Sequence, residues 1–183
     1  MPDRNYDQLD KLIAEKEIRN ALFRYCRGID RKDWALFRSA YHDDAHDDHG
    51  VYRGDPDGLV SWLKIRHENI VQSMHFIGNC WIDLDADKAS GEVYCIVIQR
   101  SGDTKNGAAG SRTTIGCRYL DRYECRDGIW RIANRLVVYE WIHENGTGSA
   151  DGAPERVFPT GLITLAQRSE DDPVYGMRGR GQE

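Results

Sequence analysis

The chain has 183 residues, which at ~150 residues per domain is about one domain. Acids outnumber bases, 30 to 25, giving a formal net charge of −5, and this excludes a binder that depends on a basic surface for nucleic acid. No apolar run approaches the ~20 residues that cross a bilayer, and the charged N-terminus, MPDRNYDQLDK, has no apolar stretch of a signal peptide. The five cysteines are odd in number and include no C-x-x-C, so they read as buried free thiols in a reducing, cytoplasmic setting.

Residues 7–29 predict a helix, because Ile18, Leu22, Tyr25 and Ile29 recur at spacings of three and four while charged residues fill much of the rest. Gly28 is its expected stop. Asp33 caps a short second helix over 34–41. Residues 42–55 are rich in Asp, His and Gly and read as a turn or an irregular hairpin around Val51–Tyr52. A third helix, capped by Asp55 with Pro56 in its first turn, is expected over 56–72.

The pattern then changes to period two. Strands are expected over 74–83 (with His75, Ile77, Asn79 and Trp81 on one face), 91–100, 112–125 and 129–143. The third alternates cleanly, with Ile115, Cys117, Tyr119, Tyr123 and Cys125 on one face. Gly102–Gly110 is a polar loop, and Asp127-Gly128 is a two-residue hairpin signal. Residues 1–144 thus form an α+β domain, with N-terminal helices packed on a curved, mostly antiparallel sheet; 145–183 read as a C-terminal arm, partly ordered against the body or a neighbouring subunit. Such a sheet and its helices enclose a cone suited to an apolar ligand.

Four residues in this framework have the chemistry for a site. Tyr25 lies on the apolar helix face, either as a core tyrosine with a satisfied hydroxyl or as a donor into the cone. Asp30 follows the expected helix end and is either a solvated loop acid or a carboxylate turned into the cone mouth, where it acts as base or holds a histidine in one tautomer. His75 opens a strand among apolar residues, as a satisfied core histidine or as a neutral imidazole able to move a proton near pH 7. Arg135 interrupts an apolar strand and needs a partner, either an internal acid or a substrate oxygen gaining charge. The run HDDAHDDHG (His42–Gly50) offers three histidines and four aspartates but fits no zinc or hard-cation template, so it reads as a solvated turn with one or two residues at a pocket rim, and no metal site is expected. G-x-S-x-G, P-loop and G-x-G-x-x-G motifs are absent.

Several stretches together carry a family resemblance: Ile18–Tyr25, Asp30, Lys32-Asp33-Trp34, Phe37, Tyr41–Ala45, Asp48–Tyr52, His75, Asp127–Ile132, Arg135 and Arg168–Tyr175. Their order and spacing resemble SnoaL-like proteins of the nuclear-transport-factor-2-like superfamily, whose fold is a cone-shaped α+β barrel. Within it the chain is similar to the group of bile-acid 7α-dehydratase, scytalone dehydratase and hexachlorocyclohexane dehydrochlorinase, which eliminate a leaving group without a cofactor. By that resemblance His75 is the base, Asp30 the acid paired with it, Tyr25 the helix-borne residue at the reacting centre, and Arg135 the arginine after W-R-I. A further acid or histidine on the middle strand has no counterpart near Tyr94–Gln99. The resemblance implies a cofactor-free lyase or isomerase acting on a hydrophobic cyclic or aromatic molecule by dehydration, β-elimination or retro-aldol-type cleavage. Tyr52, Trp62 and Tyr94 are expected on the pocket wall. A homo-oligomer, dimer or trimer, is expected, with no nucleic-acid or membrane partner. The alternative is a non-catalytic small subunit of an aromatic-ring dioxygenase, or a ligand-binding module of the same fold.

Overall fold

Three helices lie ahead of four long strands, and the strands are long enough to bend around them. The computed structural model describes residues 8–102, 110–146 and 161–177. Helices α1 (Gln8–Arg31), α2 (Trp34–Arg38) and α3 (Pro56–Arg66) are joined by strands β1 (Tyr41–Asp48) and β2 (Arg53–Gly54). Strands β3 (Ile70–Asp85), β4 (Lys88–Ser101), β5 (Ser111–Arg126) and β6 (Ile129–Gly146) follow as an antiparallel meander. A short β7 (Thr164–Leu165) and helix α4 (Pro173–Met177) complete the described chain. The sheet order is β2-β1-β6-β5-β4-β3, with β7 also on β6, and the sheet stays open. Among the described residues no helix is long and apolar enough to cross a membrane.

The expected stripe Ile18, Leu22, Tyr25 and Ile29 is buried, joined by Ala14, Ala21 and Cys26, and packs into the concave sheet face. Helix α1 does not stop at Gly28. It continues to Arg31, and Gly28 serves a different purpose: a Cβ there would lie 2.4 Å from the Phe37 backbone nitrogen. The glycine is what lets α2 close against α1, and the left-handed Lys32 (φ 54°) turns the chain between them. Asp33 and Asp55 cap α2 and α3 as expected.

Three expectations need correction. Residues 41–48 are a strand, not a turn, paired in parallel with β6 at Tyr41↔Ile132 and His46↔Asn134. Asp and His have little intrinsic preference for strands, and tertiary pairing overrides that preference here. Residues 70–72 belong to β3 rather than to α3, which ends at Arg66. Asn79 and Trp81 do not share the inner face with His75. A register shift between Ile77 and Cys80 flips the parity, so Cys80, Ile82 and Leu84 turn inward and Trp81 outward. The Asp127-Gly128 hairpin has both residues at positive φ, 53° and 76°, as a type I′ turn requires.

In the described part of the C-terminal segment, Ile163 joins the main core, Thr164–Leu165 pair with β6, and the residues that follow pack on the outer sheet face. Asp172 takes two hydrogen bonds from the Arg118 guanidinium, 2.6 and 3.1 Å, and Arg118 also reaches Glu92 and Glu140. Val174 seals Leu120 and Val138 beneath it. Residues 147–160 and 178–183 of the expected arm, and 103–109 of the expected loop, lie outside the described residues. On the outer face of β3 and β4, Met74, Phe76, Trp81, Tyr94 and Ile96 are exposed.

Gly28→Ala is expected to destabilise the fold by about 1–3 kcal/mol, the range for overpacking a close contact, as read by urea unfolding. A loss below about 0.5 kcal/mol would mean that α2 is not held in this position.

Candidate active site

Between α1, α3 and the inner face of β3–β6 lies a concave pocket that opens to solvent. Ile29, Leu63, Val97, Ile115 and Val137 make it apolar, and Tyr25, His49, His67, His75, Gln99 and Tyr139 place polar groups on its wall.

His75 enters from β3 and meets Asp30 in the last turn of α1. The His75 Nδ1–H donates to Asp30 Oδ1 at 2.6 Å, the His75 backbone N–H donates to Oδ2 at 2.8 Å, and the Ser73 hydroxyl donates to Oδ1 at 2.9 Å. Burial opposes the charged carboxylate, but the hydrogen bonds and charge of His75, with Ser73, hold Asp30 below its ordinary range. With Nδ1–H committed to the carboxylate, the neutral ring keeps Nε2 as its proton acceptor. Asp30 is thus not a loop acid beyond the helix; it is a helical residue whose carboxylate is filled by three donors.

Tyr25 projects from α1 into the same pocket, its ring 6.2 Å from that of His75 and perpendicular to it. Its hydroxyl is 3.1 Å from His49 Nε2. His49 Nδ1 in turn meets Asp47 Oδ1, and Asp47, wholly buried on β1, also accepts from the Tyr41 hydroxyl at 2.6 Å. Burial pushes the Tyr25 phenol well above its ordinary range, outweighing the opposing charge of Arg135.

Arg135 does not line the pocket. Its Nε and Nη2 donate to the two oxygens of Asp121 at 2.7 and 2.6 Å, and the Tyr123 hydroxyl closes on Asp121 at 2.6 Å. The guanidinium carbon sits 4.0 Å from the Tyr119 ring centroid and 4.2 Å from that of Tyr25. Of the two partners open to Arg135, an internal acid or a substrate oxygen, the structure provides the acid. Arg135 is a support beneath Tyr25. A register shift between β5 and β6 at Arg122/Tyr123 lets both Ile132 and Arg135 point inward, which simple alternation forbids.

Of the three expected wall residues, Trp62 lines the pocket. Tyr52 lies behind it, ring centroids 5.9 Å apart, with its hydroxyl donating to the Asp55 carbonyl. Tyr94 faces outward, 45% exposed, below Arg118. The bulk of β4 separates it from the pocket, since its neighbours Cys95 and Val97 take the inner face. From the His/Asp-rich run, His49 lines the pocket, His42 is buried against the Glu124 carbonyl and His46 is exposed.

Three residues were not singled out from the sequence. Asp121 shares the inward parity of Ile115, Cys117, Tyr119 and Tyr123, so its burial was legible there. Asp47 lies on the inward parity of Ala45 once 41–48 is read as a strand. His67, the residue after α3, folds into the pocket, where Gln99 Nε2–H points at its Nε2 from 3.5 Å. Burial first, then the neighbouring His75, Arg66 and Lys32, push His67 down to about 4.

The family model for the SnoaL-like domain matches residues 10–136. The chain belongs to the SnoaL-like family. Among solved structures it is similar to the hexachlorocyclohexane dehydrochlorinase LinA-type3 from Novosphingobium barchaimii LL02, at 19% identity over 81% of this chain and 100% of that one, with a TM-score of 0.68. A protein from Novosphingobium aromaticivorans DSM 12444 provisionally named scytalone dehydratase matches at 16% identity, covering 77% and 97%, with a TM-score of 0.64. Another from Novosphingobium aromaticivorans, provisionally named aromatic ring hydroxylase, matches at 18%, covering 74% and 94%, at 0.63. At these identities the likeness is one of fold. A comparison with curated protein sequences returns no significant match.

Arg135→Met is expected to cost about 3–5 kcal/mol, because Asp121 is left buried without its counter-charge. The double variant Arg135→Met/Asp121→Leu is expected to recover most of that loss in urea unfolding; equal loss in both would show that the rings, not the pair, hold this layer.

His67 gives a second expectation. Unfolded, it binds its proton near pH 6.5, and folded only near 4, so between these values the unfolded state holds more protons. Stability is therefore lost as pH falls from about 6.5 to about 4, by up to about 3 kcal/mol. His67→Gln is expected to flatten that part of the stability–pH curve; an unchanged curve would refute the assignment.

Proposed function

We propose that this SnoaL-like protein is a lyase that uses side-chain acid–base chemistry, without a cofactor, on a hydrophobic cyclic or aromatic small molecule. The observation that carries the reading is His75, paired with Asp30 and set in the wall of an apolar pocket that Tyr25 also lines. His75 Nε2 removes a proton from a carbon or a hydroxyl, and Asp30 stabilises the imidazolium that results. Tyr25 hydrogen-bonds the oxygen that gains or loses charge. Exclusion of water by Ile29, Val97, Ile115 and Val137 strengthens each of these interactions. Removal of a C–H proton leads to dehydration or another β-elimination; removal of a β-hydroxyl proton leads to retro-aldol cleavage.

One probe separates these outcomes: the β-hydroxy ketone formed by aldol addition of acetone to benzaldehyde. Dehydration yields benzylideneacetone, and cleavage yields benzaldehyde and acetone, each followed by its ultraviolet absorption. His75→Ala and Asp30→Asn are expected to lower turnover by about 10²–10⁴-fold with little change in melting temperature. Undiminished turnover by His75→Ala would remove the base from the mechanism.

The similarity to the provisionally named ring hydroxylase favours one second reading, a non-catalytic subunit of an oxygenase. Co-purification with an iron-bearing large subunit, together with inert Asp30 and His75 variants, is its expected signature. We also assign the exposed apolar row Met74, Phe76, Trp81 and Ile96 to contacts between copies of the chain. Light scattering is expected to give a dimer or trimer, and Phe76→Glu/Trp81→Glu a monomer.

A further inference from the structure

The pocket holds a second histidine–carboxylate pair, and it is wired to the tyrosine rather than to the base. We propose that Asp47, His49 and Tyr25 form a proton relay that delivers a proton to the oxygen leaving the substrate, so that the site is built to expel hydroxide as water. The inference rests on the elimination reading above and extends it to the nature of the leaving group.

The geometry is a chain of three links. Asp47, with no solvent exposure, receives the Tyr41 hydroxyl at 2.6 Å and His49 Nδ1–H. This fixes His49 with Nδ1 protonated and turns Nε2 to Tyr25 at 3.1 Å. The Tyr139 hydroxyl donates to the His49 carbonyl at 3.2 Å and keeps the backbone in register. Tyr25 and His49 both line the pocket, whereas Asp47 and Tyr41 lie behind it.

Tyr25 alone is a poor acid. Its phenol is buried against Phe37, Tyr41 and Tyr119, and burial raises it far above its ordinary range, so a phenolate is not a tolerable product there. A tyrosine so placed can give up a proton only while it receives another. Among the described residues His49 Nε2 is the ring nitrogen hydrogen-bonded to its hydroxyl, and the Asp47 carboxylate at Nδ1 is placed to support the imidazolium that the relay needs.

The step balances. His75 Nε2 takes the C–H proton, and that electron pair becomes the new C=C bond. The C–O bond breaks toward oxygen, the departing oxygen takes the Tyr25 proton, and the Tyr25 oxygen takes the His49 Nε2 proton. Water and alkene are formed; the positive charge has passed from His49 to His75, and proton exchange with solvent resets the pair. A leaving group that is stable as an anion needs none of the second half.

That contrast supplies the test. The aldol adduct of acetone and benzaldehyde expels hydroxide, and its para-nitrophenyl ether expels nitrophenolate, which needs no proton. His49→Gln keeps a hydrogen-bonding partner for Tyr25 but cannot pass a proton. It is expected to lower kcat for the adduct by about 10²-fold or more and for the ether by less than about threefold, whereas His75→Ala lowers both. Equal loss on both probes in His49→Gln, or loss on neither, overturns the relay while leaving the His75 base in place. Turnover of neither probe by the parent protein counts against the elimination reading itself, and the relay is then decided without substrate. Histidine ring ¹⁵N–¹H correlation spectra of the full chain, assigned with His49→Gln, are expected to show both ring nitrogens of His49 protonated and its Nε2 resonance moved by Tyr25→Phe. A His49 carrying a single ring proton, or one indifferent to Tyr25→Phe, overturns it.

Discussion

A single buried cation organises the interior of this protein. Taking a guanidinium out of water is costly, and Arg135, with no exposure at all, is stable only because Asp121 grips it with both oxygens and tyrosine rings lie close to it. Each of those rings has a second function. Tyr119 and Tyr25 form part of the pocket wall, and Tyr41, 5.9 Å from the guanidinium, supports Asp47. The polar side chains of the site therefore stand on a layer that cannot move without exposing or stranding a charge. Such a layer supplies the fixed geometry that proton transfer over one hydrogen-bond length demands.

Helix α1 turns that fixed layer into a two-sided site. Tyr25 and Asp30 are five residues apart, which at 3.6 residues per turn directs them about 140° apart around the helix. One therefore meets β1, where His49 follows the strand end, and the other meets β3, where His75 lies. The two ends of the sheet reach the same helix because β1 runs parallel to β6 on one side while the meander curls back through β5 and β4 to β3 on the other. Gly28, between them in sequence, draws α2 onto the helix at the level where the site needs a closed back wall.

Periodicity made the long elements legible. The α1 stripe, the period-two strands and the Asp127-Gly128 turn each follow from local side-chain spacing, and Asp30 with His75 was visible as a resemblance of pattern. What the sequence hid has a common physical cause. Strand β1 is made from Asp and His, whose polar groups are satisfied by tertiary partners such as Arg126 for Asp44 and Tyr41 for Asp47, so its local composition reads as a turn. The β3 register shift moves Trp81 from the inner to the outer face, and no single-strand pattern announces it. The role of Arg135 depended on whether an acid stood opposite, and Asp121 stands opposite only through the β5–β6 register.

The two histidine–carboxylate pairs differ in a way that matters more than their likeness. Asp30 is partly open to solvent and receives a backbone N–H and a hydroxyl besides His75, so its charge is compensated whether or not that imidazole is cationic. Asp47 is sealed from water and has one neutral donor, Tyr41, besides His49. The same residue types thus sit in different environments, His75 beside a partly open carboxylate with two further donors and His49 beside a fully buried one that also receives Tyr41. In the relay proposed above, that difference of environment is what would divide one kind of side chain into a base and an acid.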